Sequence, residues 1–209
     1  MSERGAIDPE LASEFPGLAL HWVEFGGASG KSPPVVKERL RDMSNRISGQ
    51  QAIEMRQRSI PWAYRVFFRQ VGIDPDERRT PIEQVVLDRL KHGGFKSRNL
   101  LDDAITIAVF ETGVPVVVFD SDRITPPPLL RLAEPGELMG DSRRPLSSGQ
   151  IVIADSERAL AVLFADMDPE RGVTPQTKRM TVVGVQVDGV PDIAVEEALW
   201  TVEEIVTGA

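Results

Sequence analysis

The stretch N-L-L-D-D-A-I-T-I-A-V-F-E-T-G-V-P-V-V-V-F-D, residues 99–120, decides the fold class because the character of the sequence changes inside it. Its first part, from Asn99 to Gly113, is long and apolar enough for a mostly buried helix that ends at a glycine. Its second part is a short run of β-branched residues next to turn residues, which predicts a strand. Helix signals dominate before this boundary and strand signals dominate after it. This segregation predicts an α+β protein, since alternating β-α-β units would mix the two.

The same signals divide the rest of the chain on both sides of this boundary. On the N-terminal side they predict one strand at 18–25 and helices at 9–15, at 34–58 with a break at Gly49, at 61–72 and at 81–93. On the C-terminal side they predict an amphipathic helix at 193–206 and strands within 114–120, 129–133, 149–155, 159–166 and 180–189. No linker is long enough to separate two units. We therefore predict one domain over residues 1–209, helix-rich over 1–113 and strand-rich over 114–190.

The composition is that of a soluble globular protein. Of 209 residues, 41% are hydrophobic and 27% are charged, which argues against the disordered and coiled-coil classes. No apolar run approaches the roughly 20 residues of a membrane span, and residues 1–15 lack the apolar core of a signal peptide. The absence of cysteine excludes disulfides, a thiolate nucleophile and cysteine-ligated zinc. These features predict a cytoplasmic protein without a membrane partner.

Charge is unevenly distributed along the chain. The net charge of −8 argues against a general nucleic-acid coat and against DNA binding, because contacts with phosphates need a basic surface. Residues 31–100 nevertheless hold 15 Lys and Arg against 8 Asp and Glu. This basic third has two interpretations, which are solvated helix faces or a local surface for an anionic partner. The second interpretation depends on five arginines of the early helices, Arg39, Arg41, Arg46, Arg56 and Arg58.

Three patterns suggest chemistry but favour a structural role. The turn F-G-G-A-S-G-K-S at 25–32 resembles a phosphate-binding loop, yet Phe25 replaces its first glycine and would misplace the backbone donors. The acidic pairs at 102/103, 120/122 and 166/168 match no calcium-loop pattern, and turn capping is the simpler interpretation. His21 and His92 lack the spacing of a zinc site, and no G-x-S-x-G serine motif occurs. We therefore expect no metal and no cofactor.

Six segments occur in an order that resembles a known family. They are R-T-P-I-E-Q-V-V-L-D-R-L (79–90), N-L-L-D-D (99–103), G-V-P-V-V-V-F-D (113–120), L-R-L-A-E-P-G-E (130–137), Q-I-V-I-A-D (150–155) and V-T-P-Q-T (173–177). Together they resemble the B3/B4 domain of the phenylalanyl-tRNA synthetase beta subunit, while residues 8–27 and 62–79 resemble its free-standing bacterial relatives. The resemblance implies a B3/B4-like domain with a β-sandwich-like core flanked by helices. Within the synthetase this domain hydrolyses tyrosine mistakenly attached to tRNA.

The site residues that the resemblance implies are only partly matched. Asn99 and Asp103 stand where the family has an asparagine and a helix aspartate, and Asp120 ends the same strand motif. Thr106 replaces a second asparagine, and Val117 stands where the editing site has a histidine. Since valine cannot accept a proton or hold a water, we expect a substrate side chain less polar than tyrosine.

The first functional hypothesis is hydrolysis in trans of a mischarged aminoacyl-tRNA ester, without metal or cofactor. Arg131 and Glu137 are the predicted catalytic residues, and a structural ion pair is the alternative interpretation of these two. Arg131 would donate to the developing oxyanion, and Glu137 would orient a water or bind the substrate amine. The predicted substrate-binding residues are Arg65, Asn99, Asp103, Thr106, Val117, Asp120, Thr174 and Thr177.

Two alternatives remain open at this point. One is a non-catalytic module that binds an amino acid or a tRNA end, which the loss of the family histidine at Val117 favours. The other is a function on an amino-acid-derived small molecule outside translation. The expected partners are an amino-acid-like ligand and tRNA or aminoacyl-tRNA, the latter bound through the basic residues 31–100.

The family's glycine-rich turn is altered here to F-A-D-M-D-P-E-R-G at 164–172.

Overall fold

The computed structural model of the protein describes residues 2–47, 49–142 and 145–208. Within these ranges the chain forms seven α-helices and two four-stranded sheets. The helices are α1 (Pro9–Glu14), α2 (Pro34–Asn45), α3 (Gly49–Met55), α4 (Ser59–Gln70), α5 (Pro81–His92), α6 (Leu100–Thr112) and α7 (Asp192–Thr207). The strands are β1 (Glu3–Arg4), β2 (Ala6–Ile7), β3 (Ala19–Gly26), β4 (Val116–Asp120), β5 (Leu129–Leu132), β6 (Ile151–Ala154), β7 (Ala159–Val162) and β8 (Arg179–Gln186).

Each sheet combines strands from both ends of the chain. The first sheet has the strand order β1-β3-β8-β4, and all its neighbours are antiparallel. The second sheet has the order β2-β5-β6-β7, in which β2 and β5 are parallel and the other pairs are antiparallel. Across the first sheet, Val117 of β4 lies opposite Val183 of β8, which lies opposite Trp22 of β3. This register places Val117 on an edge strand.

The two sheets share an apolar core. Val183 and Val185 of β8 belong to this core together with Leu130 of β5 and Ile153 of β6. Val182, which directly precedes Val183 in β8, packs instead in a second apolar cluster formed with α6 and α7. Successive side chains of a strand point to opposite faces, so β8 serves both clusters. The α+β fold with a β-sandwich-like core flanked by helices is therefore confirmed.

Most predicted helices and strands are confirmed. The predicted helical stretch at 34–58 is broken near Gly49, as expected, into α2 and α3, and Gly49 begins the second of these. Helix α4 begins at Ser59 instead of Pro61. The proline lies in the first turn, where its missing N–H leaves no helical hydrogen bond unmade. Helix α6 follows its prediction, and Gly113 ends it in the left-handed region at φ 78°.

The N-terminal strands β1 and β2 were not predicted, because residues 1–15 have a charged, helical character. They add to different sheets, since β1 pairs with β3 and β2 pairs with β5. Gly5 lies between them, and its N–H donates to the carbonyl of Leu20 at 2.9 Å. A Cβ at this position would collide with the carbonyl of Pro128 and with the Leu20 side chain. Only glycine therefore lets the chain pass here from one sheet to the other.

Within the described ranges, none of the helices combines the length and the apolar character that crossing a membrane requires.

Candidate functional site

A cavity of about 200 Å³ lies between the two sheets at Val117. Val117 and Val183 line it from the first sheet, and Ile153 and Ala161 line it from the second. Every side chain that lines the cavity belongs to Pro, Val, Ile, Ala, Leu or Phe. The space can accept an apolar group, but its lining offers no side chain that could transfer a proton.

Phe164 limits this cavity on the side of the second sheet. It follows β7 with a φ of 55°, a left-handed conformation that strains a non-glycine residue. Its ring stacks on Phe68 with a centroid distance of 5.6 Å and meets Phe67 edge-on at 6.1 Å. Its carbonyl oxygen accepts a hydrogen bond from Arg78 Nη2 at 3.3 Å. These contacts offset the backbone strain and hold the ring at the cavity.

Arg131 and Glu137 form a two-point ion pair. Arg131 Nη2 donates to Glu137 Oε1 at 2.6 Å, and Arg131 Nη1 donates to Glu137 Oε2 at 2.7 Å. The N–H groups of Ala159 and Glu134 donate to the same two oxygens, at 3.0 and 2.9 Å respectively. The hydrogen bonds from Arg131 lower the pKa of Glu137 to about 2, although burial acts in the opposite direction. The carboxylate is therefore ionised, and the protein itself engages both of its oxygens.

Asp120, Thr174 and Thr177 come together at the end of β4. Thr177 Oγ1 donates to Asp120 Oδ2 at 2.5 Å, and the N–H of Thr174 donates to Thr177 Oγ1 at 2.9 Å. Asp120 Oδ1 accepts the N–H of Asp122 at 3.0 Å and caps the short helical turn Ser121–Arg123. The three predicted residues thus form one network that connects β4 to the segment before β8.

Asn99, Asp103 and Thr106 lie in the first turns of α6. Asn99 is the N-cap, and its Oδ1 accepts the N–H of the third residue beyond it at 2.9 Å. Asp103 is buried and accepts hydrogen bonds from the hydroxyls of Ser32 and Ser97, at 2.5 and 2.6 Å. Thr106 Oγ1 donates to the carbonyl one turn earlier at 2.8 Å. The glycine-rich turn 25–32 therefore uses its last serine to anchor α6.

Arg65 belongs to a buried polar network around Glu83. Its Nη1 donates to Glu83 Oε1 and its Nη2 donates to Asp76 Oδ1, both at 2.6 Å. Arg56 Nε reaches the same Glu83 oxygen at 2.9 Å, while Glu83 Oε2 accepts the N–H and hydroxyl of Thr80. Sequence reasoning missed Glu83. The spacing Thr80-x-x-Glu83, which is that of a capping box, was the signal that would have found it.

The predicted site residues therefore occupy separate places in the fold. Among the described residues, none of the polar candidates lines the cavity at Val117. Their predicted catalytic and substrate-binding roles stay predictions. Phe164 lines the cavity but was not predicted, although the altered turn 164–172 pointed to this region.

The five arginines at 39, 41, 46, 56 and 58 differ in whether a carboxylate pairs with them. Arg39 pairs with Glu111 at 2.6 Å, and Arg56 pairs with Glu83. Arg41, Arg46 and Arg58 are exposed, and among the described residues no carboxylate lies within ion-pair distance of them. Only the latter three present unneutralised charge to solvent.

Both histidines have partners within the protein. His21 is buried, and its Nε2 lies 3.1 Å from Gln186 Oε1. His92 Nδ1 lies 2.8 Å from the carbonyl oxygen of Asp88 at the end of α5. In residues 2–47, 49–142 and 145–208, no group of three or more His, Cys, Asp or Glu is placed to hold a metal ion.

A family profile for the B3/4 domain matches residues 63–193. The chain belongs to the B3/4 domain family. The match contains every predicted catalytic and substrate-binding residue, from Arg65 to Thr177, and also the cavity at Val117. The five arginines at 39, 41, 46, 56 and 58, of which only the first two lie within a helix (α2), come before the matched B3/4 region. The cavity therefore lies in the part of the chain that matches the family, whereas the exposed arginines lie in the segment before it.

Curated relatives of this B3/4 protein are phenylalanine–tRNA ligase beta subunits. That of Vibrio vulnificus (strain YJ016) is 33% identical over 94 residues, which are 44% of this chain and 12% of the relative. That of Psychrobacter arcticus is 36% identical over 78 residues, which are 36% of this chain and 10% of the relative. The matched part thus spans about a tenth of these relatives' own length.

A solved structure is also similar to this B3/4 protein. It is an N-terminal fragment of the phenylalanyl-tRNA synthetase beta subunit from Pyrococcus horikoshii. The similarity covers 98% of this chain and 52% of that chain, with a TM-score of 0.44 and 14% sequence identity.

Proposed function

We propose that this B3/4 protein is a module that binds the aminoacyl end of a tRNA and holds an apolar amino-acid side chain in the cavity at Val117. The family membership and the names of the curated relatives support the tRNA part of this proposal. The exposed Arg41, Arg46 and Arg58 support it from a second side, because phosphate binding depends on unneutralised cationic groups.

The observation that carries the proposal is that every side chain lining the cavity is apolar. None of these side chains can pair with a hydroxyl, and a buried hydroxyl without a partner is disfavoured, so the walls around Val117 favour apolar side chains over tyrosine. The volume of about 200 Å³ is also below the range of about 300–1,000 Å³ typical of pockets for whole small molecules. A single side chain of a larger ligand fits this size better than a free ligand does.

Binding without hydrolysis is the better interpretation of the residues around the cavity. Ester hydrolysis needs an oriented water and donors for the developing oxyanion. A general base works best with a pKa near the operating pH, whereas the pKa of Glu137 is lowered to about 2. We therefore propose that Arg131 and Glu137 stabilise the second sheet. Arg65, Asp103 and Asp120 are each engaged by neighbouring groups of the protein, so we propose structural roles for them as well.

The direct test compares tRNAs that carry different amino acids through a non-hydrolysable amide link. Fluorescence anisotropy should show tighter binding for valyl- and phenylalanyl-tRNA than for tyrosyl-tRNA or uncharged tRNA. Val117→Thr keeps the shape of the side chain and adds a hydroxyl, so it should reduce the preference for apolar amino acids. Val66→Thr, on the partly exposed face of α4, is the matched control and should leave the preference unchanged. Equal affinity for charged and uncharged tRNA would contradict the proposal.

Hydrolysis is tested separately with natural esters. We expect the wild-type protein to release free amino acid from mischarged tRNAs no faster than the spontaneous reaction. Release above that rate would make the protein an aminoacyl-tRNA hydrolase. In that case loss of the activity in Arg131→Lys and Glu137→Gln, with the fold retained, would support the catalytic hypothesis for that pair.

A further inference from the structure

A second and larger cavity, of about 500 Å³, lies beyond Phe164. It is bounded by the C-terminal ends of α1 and α4, by the segment that leads to α5 and by one end of strands β5, β6 and β7. Val162, Leu163 and Phe164 line both cavities and separate them. The volume falls in the range of about 300–1,000 Å³ that is typical of small-molecule sites.

The walls of this second cavity combine aromatic and aliphatic side chains with polar ones. Phe15 of the α1 end meets Phe67 of α4 edge-on, with centroids 5.3 Å apart, and Phe67 meets Phe164 at 6.1 Å. Leu132 and Ile151 of the second sheet complete the apolar part. Aromatic edges and faces arranged in this way favour a further ring, because edge-to-face pairs add attraction beyond the burial of area.

Arg78 supplies a cationic group to the same cavity. Its Nη2 donates to the carbonyl of Phe164 at 3.3 Å, and the side chain is exposed. Within the described part of the chain, no carboxylate lies at ion-pair distance from it. A guanidinium with free N–H groups matches the two oxygens of a carboxylate. Gln70 and Gln150 line the cavity beside these walls and provide amide groups.

We infer that this cavity binds a small carboxylate with an aromatic body, with the carboxylate held by Arg78 and the ring placed among Phe15, Phe67 and Phe164. Apolar surface combined with oriented polar groups is the usual form of a small-molecule site. Glu14 also lines the cavity and could receive an ammonium group. Two sources share the ligand chemistry, namely an aromatic amino acid and an aromatic acid that lacks the amine. The inference does not depend on the proposed function at Val117.

The test is a titration of the full chain with 3-phenylpropionate and with L-phenylalanine. Calorimetry and amide chemical shifts measure the binding. We expect saturable binding, with shifts at Ile73 and Gln150 and weaker effects at Val183. If L-phenylalanine binds more tightly and Glu14→Gln removes that difference, the natural ligand is an amino acid. If 3-phenylpropionate binds at least as tightly, the natural ligand lacks the amine.

The matched variants are Arg78→Ala and Arg79→Ala, two neighbouring exposed arginines of which only Arg78 lines this cavity. Arg78→Ala should weaken binding by about tenfold or more, since a hydrogen-bonded charge is lost. Arg78→Lys should weaken it less, and Arg79→Ala should have no effect. The uncharged 3-phenylpropanamide should bind as weakly to the wild type as 3-phenylpropionate binds to Arg78→Ala.

Equal affinity of wild type and Arg78→Ala would overturn the inference, as would the absence of saturable binding by both acids. Ligand-induced shifts centred on Val117 and Val183 and abolished by Val117→Thr would overturn it as well, because they would place the ligand in the first cavity. Val117 lines only the first of these two cavities, so Val117→Thr should leave the binding of 3-phenylpropionate unchanged. Failure at one cavity therefore leaves the other proposal standing.

Discussion

The carboxylate of Glu137 accepts a hydrogen bond from each terminal nitrogen of Arg131, with N···O distances of 2.6 and 2.7 Å. Arg131 lies in β5, and Ala159, whose N–H also donates to Glu137, begins β7. Strand β6 runs between those two strands. The carboxylate of Glu137, which lies in a loop, thus connects the two strands on either side of β6. The Arg131–Glu137 ion pair therefore holds the strands of the second sheet together.

Removing the charge of Glu137 should therefore destabilise the protein. Glu137→Gln keeps the shape but cannot accept all four hydrogen bonds, and it leaves Arg131 without its counter-charge. We expect the free energy of unfolding to fall by about 1.5–3 kcal/mol, the usual size for hydrogen bonds to a charged group. Urea unfolding measures the difference. Glu134→Gln, an exposed neighbour, is the control and should change stability by less than about 0.5 kcal/mol.

The same carboxylate should make stability depend on acid pH. The pKa of Glu137 is lowered from the ordinary 4.5 to about 2, first by the Arg131 hydrogen bonds and also by the N–H groups of Glu134 and Ala159. A lowered pKa in the folded state contributes stability that is complete above the unfolded pKa and is lost as pH falls through the folded pKa. The stability difference between wild type and Glu137→Gln should hence be constant above pH 4.5 and shrink below it. A difference that stays constant throughout the acid range would contradict this assignment.

Glu83 should be among the most sensitive positions of the chain. It is buried and pairs with Arg65 and Arg56 while also capping α5. Glu83→Ala removes the buried counter-charge of Arg65 and leaves it only the exposed Asp76, so we expect a loss of about 3–5 kcal/mol in the free energy of unfolding. Asp76→Ala removes the exposed partner of the same Arg65 and should cost far less. Comparable losses for the two variants would show that burial of Glu83 is not the cause.

The exposed arginines should control the salt dependence of tRNA binding. Each contact with a phosphate contributes about 0.7–0.9 to the slope of log affinity against log salt. The triple variant Arg41→Ala, Arg46→Ala, Arg58→Ala should weaken binding and reduce that slope by about 2–3. Arg158→Ala, an exposed arginine of the acidic half, is the control. An unchanged slope in the triple variant would exclude these residues as the phosphate-binding surface.

The chain should unfold as a single unit. Residues 3–7 belong to both sheets, and β8 contributes to the apolar clusters on both faces of the first sheet. Unfolding followed by tryptophan fluorescence and by far-ultraviolet circular dichroism should therefore give coincident transitions. Trp22, Trp62 and Trp200 report on β3, α4 and α7 respectively. Two separated transitions, or two proteolytic fragments that each remain folded, would contradict the prediction of one domain.

Local patterns in the sequence were sufficient to identify most helices and strands. The change at Gly113, the cap at Asn99 and the alternation of β8 all act within a few residues, so they can be read from the chain directly. The apolar character of the candidate cavity was also predictable, because Val117 replaces a polar family residue. The two-residue strands β1 and β2 were not predictable, since segments so short carry no periodicity.

The α+β class, the order of the main elements and the residues that match the family all follow from the sequence alone. The groups that the polar residues contact became visible only in the folded structure. Thr177 reaches Asp120 across 57 positions of the chain, and Ser32 reaches Asp103 across 71. Ala159 reaches Glu137 across 22 positions. A carboxylate acts as a base or as a structural acceptor according to the donors around it, and here those donors come from distant segments that only folding brings together.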